Sequence, residues 1–229
     1  MTSYRKLWNK QQTEFRDILL SFEQHDEAIR RFLRQHARHH SAAMAVSEPW
    51  SFEDEIMNDI SDQGARLVPE HEEHSIVWLI WHIARIEDVT MNILVAGKPQ
   101  IINQDNWLER MKVSIVSTGN GMDANEVAQL SEAIDIESLR GYRIAVGRQT
   151  RENVQMLGPD DLKEMVKQSR LRQLMDEGAV LEKSRGLIDY WGRKNIAGLL
   201  LMPPTRHCFV HLNEAARVKK RALRKLSSG

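Results

Sequence analysis

Ser75-Ile76-Val77-Trp78-Leu79-Ile80-Trp81-His82-Ile83-Ala84-Arg85-Ile86-Glu87-Asp88 is the most apolar stretch of this 229-residue chain, and its character persists to Val95 before Gly97 and Pro99 close it off. Ile76, Leu79, Ile80, Ile83, Ile86, Val89, Ile93 and Leu94 cover most of the circumference of the helix that this spacing predicts over 75–95. A helix apolar nearly all round belongs at the centre of a protein, with neighbours on every side. Glycine just past the last turn and proline soon after are stop signals. The stretch is not a membrane span, because the uninterrupted apolar run from Ile76 ends at His82, far short of the roughly 20 residues that cross a bilayer. His82 shares a side with Trp78, Ile86, Val89 and Ile93. A lone histidine so placed is more often a core residue satisfied by one hydrogen bond than a ligand.

Working outward, apolar residues recur at three- and four-residue spacing, and no stretch reads convincingly as a strand, so the predicted class is all-α. A first helix is expected over 7–39, with Phe15, Ile18, Phe22, Ile29, Phe32 and Leu33 on one side and Arg30, Arg31 and Arg34 facing away. A short acidic helix over 52–60 and a polar turn over 61–64 precede the central helix. Beyond it, the looser segment 98–120 ends in Gly119-Asn120-Gly121, which lacks the Gly-Lys-Ser/Thr ending of a phosphate loop. Further helices are expected over 123–130, 136–157, 162–175 and 181–202, the last two broken by glycines. Pro203 and Pro204 then suit the first turn of a final helix that runs to about Leu226. With no repeat, low-complexity linker or shift in composition, the chain reads as a single domain over 1–229.

The 32 Lys and Arg balance 32 Asp and Glu, which argues against a surface built wholly for nucleic acid or an acidic membrane. With 41% hydrophobic residues the chain has ample material for a core, so disorder is excluded as its main theme. Cys208 is the only cysteine, which rules out an internal disulfide or a multi-cysteine metal site. No apolar run follows the basic residues of the N-terminus, so a signal peptide is not expected and the reading is cytoplasmic. The basic tail, Arg217, Lys219, Lys220, Arg221, Arg224 and Lys225, has no aromatic cluster for base stacking beside it and reads as a solvated helix end. Neither a nucleic-acid nor a membrane partner is expected; exposed bundle faces leave room for a homodimer.

The 9 histidines are the unusual part of the composition. His207 and His211 stand four apart on the final helix, about 40° and one turn from each other, so both imidazoles can face one ion. Neutral imidazole suits zinc, nickel, copper or iron. Ala215, Val218 and Ala222 lie on or beside the same side, which sets the pair at the edge of the buried arc. His36 and His40 repeat the spacing on the apolar side of the first helix, but Arg30, Arg31, Arg34 and Arg38 surround them. Positive neighbours disfavour a cation, and this pair is expected to be a solvated basic helix end. If the central helix packs against the last, His82, His207 and His211 form a three-imidazole site with an open position, as in catalytic zinc centres.

The 75–88 stretch together with Arg206-His207-Cys208-Phe209-Val210-His211-Leu212-Asn213-Glu214 resembles the DinB/YfiT-like superfamily, and the likeness runs over about 51–220. The resemblance implies a four-helix bundle, here with additional short helices, and a metal held by one histidine of the second helix and two from an HxxxH motif on a later one. Carried onto this sequence, the ligands would be His82, His207 and His211, with zinc or nickel as the ion. Characterised relatives include thiol-dependent transferases and isomerases, so the resemblance implies a metal-dependent hydrolase or a thiol transferase with a low-molecular-weight thiol cosubstrate and a small-molecule substrate. The alternative is a non-catalytic bundle, metal-stabilised or metal-free. Extra segments over 101–138 and 162–183 depart from the shortest members and leave the substrate class open.

Other residues keep blander expectations. Glu214 is about 20° from His207 in projection and could orient a ligand histidine, although pairing on the helix surface with Arg217 is the default. Cys208 is expected as a small buried residue, Arg206 as a surface arginine, and His71 and His74 as surface histidines. Glu87 and Asp88 turn away from His82 and are assigned to the helix surface. Tyr142, Arg143, Arg148 and Arg151 read as ordinary bundle residues.

Overall fold

A computed structural model of the chain describes residues 2–45, 50–68 and 74–227. Its α-helices are α1 Thr2–Ile18, α2 His25–His39, α3 Phe52–Met57, α4 Asp62–Arg66, α5 Ile76–Asp88, α6 Trp107–Arg110, α7 Ala124–Ala133, α8 Ile136–Gln155, α9 Gln168–Asp176, α10 Gly186–Gly192, α11 Ile196–Leu200 and α12 Cys208–Ser227. π-helical turns extend α5 over Val89–Ala96 and lead into α12 over Met202–His207. Among the described residues there is no strand, only an isolated bridge between Met165 and Asn195. None of the helices is long and apolar enough to cross a membrane.

Local sequence explains where the helices begin. Ser51, Ser61, Ser75, Asp135 and Asn195 each accept a hydrogen bond from a backbone N–H of the first turn that follows. Asp123 and Glu126 form a reciprocal capping box at the head of α7. Each such cap stabilises its helix by roughly 1 kcal/mol. The α5 extension ends at Gly97, whose φ of 66° is the left-handed conformation glycine adopts freely. The Arg170 guanidinium then donates to the Leu94 and Val95 carbonyls at 2.9 and 2.8 Å, satisfying groups the helix end leaves open.

α5 and its extension run through the middle of the molecule, and every residue over 75–95 is buried. α5 packs on α8 and α12, and α2 packs on the same two helices from elsewhere. One apolar cluster gathers round Ile76–Ala84 with Trp8, Phe52, Leu139, Val146, Phe209 and Leu212. A second gathers round Val89–Val95 with Phe15, Phe32, Leu174, Trp191 and Leu200. Between them α5 carries Arg85, Glu87 and Asp88, all without solvent exposure.

Several expectations need correcting. The single helix over 7–39 is two helices joined at residues 19–24, and Phe22, expected on the apolar side, is 68% exposed. Arg31 reaching Glu14 and Trp8 lying beside His39 show α1 and α2 to be antiparallel. That hairpin carries His36 and His40 into the interior, where both are fully buried rather than solvated. Glu87 and Asp88 are likewise internal, because α5 has no solvent side for them to occupy. The 61–64 turn is the start of α4, and the 162–175 and 181–202 helices are shorter pieces with 3-10 turns between them.

Candidate metal centre

His82 enters the site from the middle of α5, His207 from the end of the π turn and His211 from the first turn of α12. The turn is fixed from behind: Thr205 Oγ1 donates to the Leu200 carbonyl at 2.9 Å, and Gln12 Nε2 donates to the Leu201 carbonyl at 3.0 Å. The three imidazole centroids lie 5.1, 5.1 and 4.5 Å apart. One ring nitrogen from each lies within 4.8 Å of the others. The structure therefore brings together the three histidines that the sequence singled out.

Two of the rings are oriented from outside the cluster. His82 Nδ1 is 2.6 Å from the Thr118 carbonyl, to which it can only donate, and this leaves the Nε2 lone pair for an ion. His211 Nδ1 donates in the same way to Glu214 Oε2 at 2.9 Å. Carboxylate and carbonyl partners of this kind set the tautomer and raise the basicity of a ligand imidazole. His207 Nδ1 is buried and has no hydrogen-bond partner among the described residues. An orphaned ring nitrogen in a cluster of three imidazoles is a donor set that fits a divalent transition ion.

The electrostatics run the same way. Burial, reinforced by the His211 ring, pushes His82 down to about 3. Burial and the two neighbouring imidazoles hold His207 well below the ordinary histidine range. Both rings are thus neutral at physiological pH with lone pairs available. Burial works to raise the Glu214 carboxyl, but hydrogen bonds from His211 and His74 outweigh it and bring the group down to about 2. Glu214 is a permanent anion beside the cluster.

Glu214 takes the orienting role and not the surface pairing with Arg217 that was the default. His74 is no isolated surface histidine: its Nδ1 lies 3.4 Å from Glu214 Oε1, and its ring stacks 3.8 Å from Trp78. Trp78 stacks in turn on His82 at 4.8 Å. His71 lies outside the described residues. Cys208 is buried as expected, and burial pushes its thiol up to about 12. Thr118 was missed because it acts through its main chain. Asp88, expected on the helix surface, and Tyr142, expected as an ordinary bundle residue, form a buried network with Arg85, whose Nη1 donates to Asp88 at 2.8 Å and to the Tyr142 hydroxyl at 2.7 Å. Asp88 also accepts from the backbone N–H groups of Ile101 and Ile102, which ties the 98–120 segment to α5.

An all-helical chain with three imidazoles drawn from two helices around one point defines a class of histidine-bearing helical proteins. A family model described as the DinB superfamily matches residues 54–181, more than half of the chain. The chain belongs to the DinB superfamily. The matched region contains His82 and stops short of His207 and His211. No curated protein matches the chain.

Proposed function

We propose that the protein holds one divalent transition metal, zinc or nickel, through His82, His207 and His211, and that it acts on a small molecule as a metal-dependent hydrolase or a thiol-dependent transferase. The observation that carries this reading is the convergence of three buried or half-buried imidazoles, two with their Nδ1 atoms committed to Thr118 and Glu214. When bound, such an ion supplies Lewis acidity and makes water or a thiol nucleophilic at neutral pH. The chain's own residues do the rest. Thr118 and Glu214 hold two rings in register, and Glu214 places a fixed negative charge behind His211.

Arg206 lines a cleft of about 400 Å³ together with Arg16, Lys194, Gln12 and Trp8, and none of the three histidines lines that cleft. The test is the metal content of protein purified without a polyhistidine tag, in the wild type and in His211→Ala. One equivalent in the wild type, lost or greatly weakened in the variant, is expected. Absence of stoichiometric metal after incubation with zinc or nickel would sink the proposal. Turnover is then sought with thiol cosubstrates, and stabilisation by metal without turnover on any substrate would favour the non-catalytic alternative.

A further inference from the structure

His36, His40 and Glu87 form a second convergent group, and all three are completely buried. His36 Nε2 lies 2.7 Å from Glu87 Oε1, and His40 Nε2 lies 2.9 Å from Glu87 Oε2. The two rings, one turn apart on α2, have centroids 4.2 Å apart. One carboxylate from α5 is thus faced by the same nitrogen of two imidazoles. We propose that these three side chains form a second metal site, enclosed within the helices, that takes a divalent first-row ion through two imidazole nitrogens and one carboxylate.

Charge is the first argument. Glu87 has no solvent exposure, and each of its carboxyl oxygens faces an imidazole nitrogen. The fully buried Arg85 guanidinium is engaged by Asp88. Arg143 is likewise engaged by Glu53 in a fully buried ion pair and donates to the His39 carbonyl. A carboxyl group enclosed between two imidazoles is costly to keep away from water, and a divalent cation among the three groups removes the cost. The spacing suits this, because oxygen and nitrogen atoms 2.7–2.9 Å apart are neighbours in one coordination sphere with bonds of about 2.1 Å.

The donor set and its surroundings are the second argument. Two histidines and one carboxylate leave positions open on the ion, the pattern of divalent iron and related metals. Cys208 Sγ, 3.9 Å from Glu87 Oε2, is a further soft atom at its edge. Gly147 presses the α8 backbone against His40, since a Cβ there would fall 2.7 Å from His40 Nδ1, and this fixes the ring from behind.

This inference does not rest on the three-imidazole reading, and the experiment separates them. Untagged full-length protein is produced in cobalt-supplemented medium, so that the ion is present as the enclosed site forms, and bound cobalt is counted alongside its visible absorption. His207→Ala/His211→Ala, which removes two ligands of the first cluster, is expected to retain about one equivalent. Adding Glu87→Gln or His40→Gln to that variant is expected to abolish it. A folded His207→Ala/His211→Ala protein without cobalt would overturn the proposal, as would undiminished cobalt in both further variants. Should those variants fail to fold, imidazole nitrogen NMR of zinc-grown His207→Ala/His211→Ala decides. Loss of the Nε2 protons of His36 and His40 supports the site, and their persistence in hydrogen bonds to Glu87 refutes it.

Discussion

At the scale of single residues, the three-imidazole cluster depends on atoms that hold rings in place. Removing Glu214 frees His211 Nδ1 from its 2.9 Å partner and strips the local negative charge. Glu214→Ala is therefore expected to weaken zinc or nickel binding about 10- to 100-fold by competition with a chelator, with the helical circular dichroism unchanged. Tyr142 offers a test of the buried network. Burial, with the Asp88 carboxylate adding to it against the opposing Arg85, raises its phenol well above 10.0. Because the folded-state value is raised, the associated stability is complete below pH 10 and is lost as pH climbs past it, by about 1.4 kcal/mol per pH unit. Urea unfolding above pH 10 is expected to show this slope in the wild type and a shallower one in Tyr142→Phe. His207 and His211 were legible because their spacing on one helix is a property of sequence. His36 and His40 share that spacing but were misjudged from the arginines around them, since burial depends on the turn of α1 onto α2.

Elements extend the same logic. The 117–121 loop delivers the Thr118 carbonyl to His82 and is itself held by the Thr118 N–H donating to the Ala179 carbonyl at 3.0 Å. Gly119, with φ of 79°, lies where an added Cβ would come within 2.5 Å of the Trp81 ring. Gly119→Ala is expected to cost about 1–3 kcal/mol in urea unfolding and, by displacing the loop, to weaken metal binding as well. A stability loss with unchanged affinity would mean that Thr118 does not orient His82. The central helix was legible from its all-round apolarity, and its stop at Gly97 from glycine and proline chemistry. The break between α1 and α2 was not, because residues 19–24 contain neither glycine nor proline and hydrophobic periodicity runs on through them. The loop's role was hidden for another reason: a carbonyl that orients a ring is common to every residue type.

For the whole molecule, ions that bind only the folded chain shift its unfolding equilibrium. A free metal concentration 100-fold above the dissociation constant adds about 2.7 kcal/mol, roughly 5–10 °C in melting temperature for a chain of this size. The wild type is expected to lose that increment on chelation. His211→Ala is expected to show a smaller response or none, and an equal response in both proteins would remove His211 from the ligand set. The helical class was legible across the chain, whereas the meeting of α5 with α12 stood only as a condition of the three-imidazole reading until the packing was seen. The buried charged layer between the two apolar clusters was not legible, since Arg85, Glu87 and Asp88 look like ordinary surface residues until every side of α5 is seen to be covered.

That complete enclosure of α5 has a consequence for how the gene can vary. Surface helices accept changes in a rhythm, tolerant on the wet side and intolerant on the dry one. With no residue over 75–95 facing solvent, this segment has no tolerant side. Saturation mutagenesis scored by soluble expression is expected to reveal a continuous block of intolerance there, without the helical rhythm expected along α8 and α12. A periodic tolerance pattern within the block would show that part of α5 is exposed.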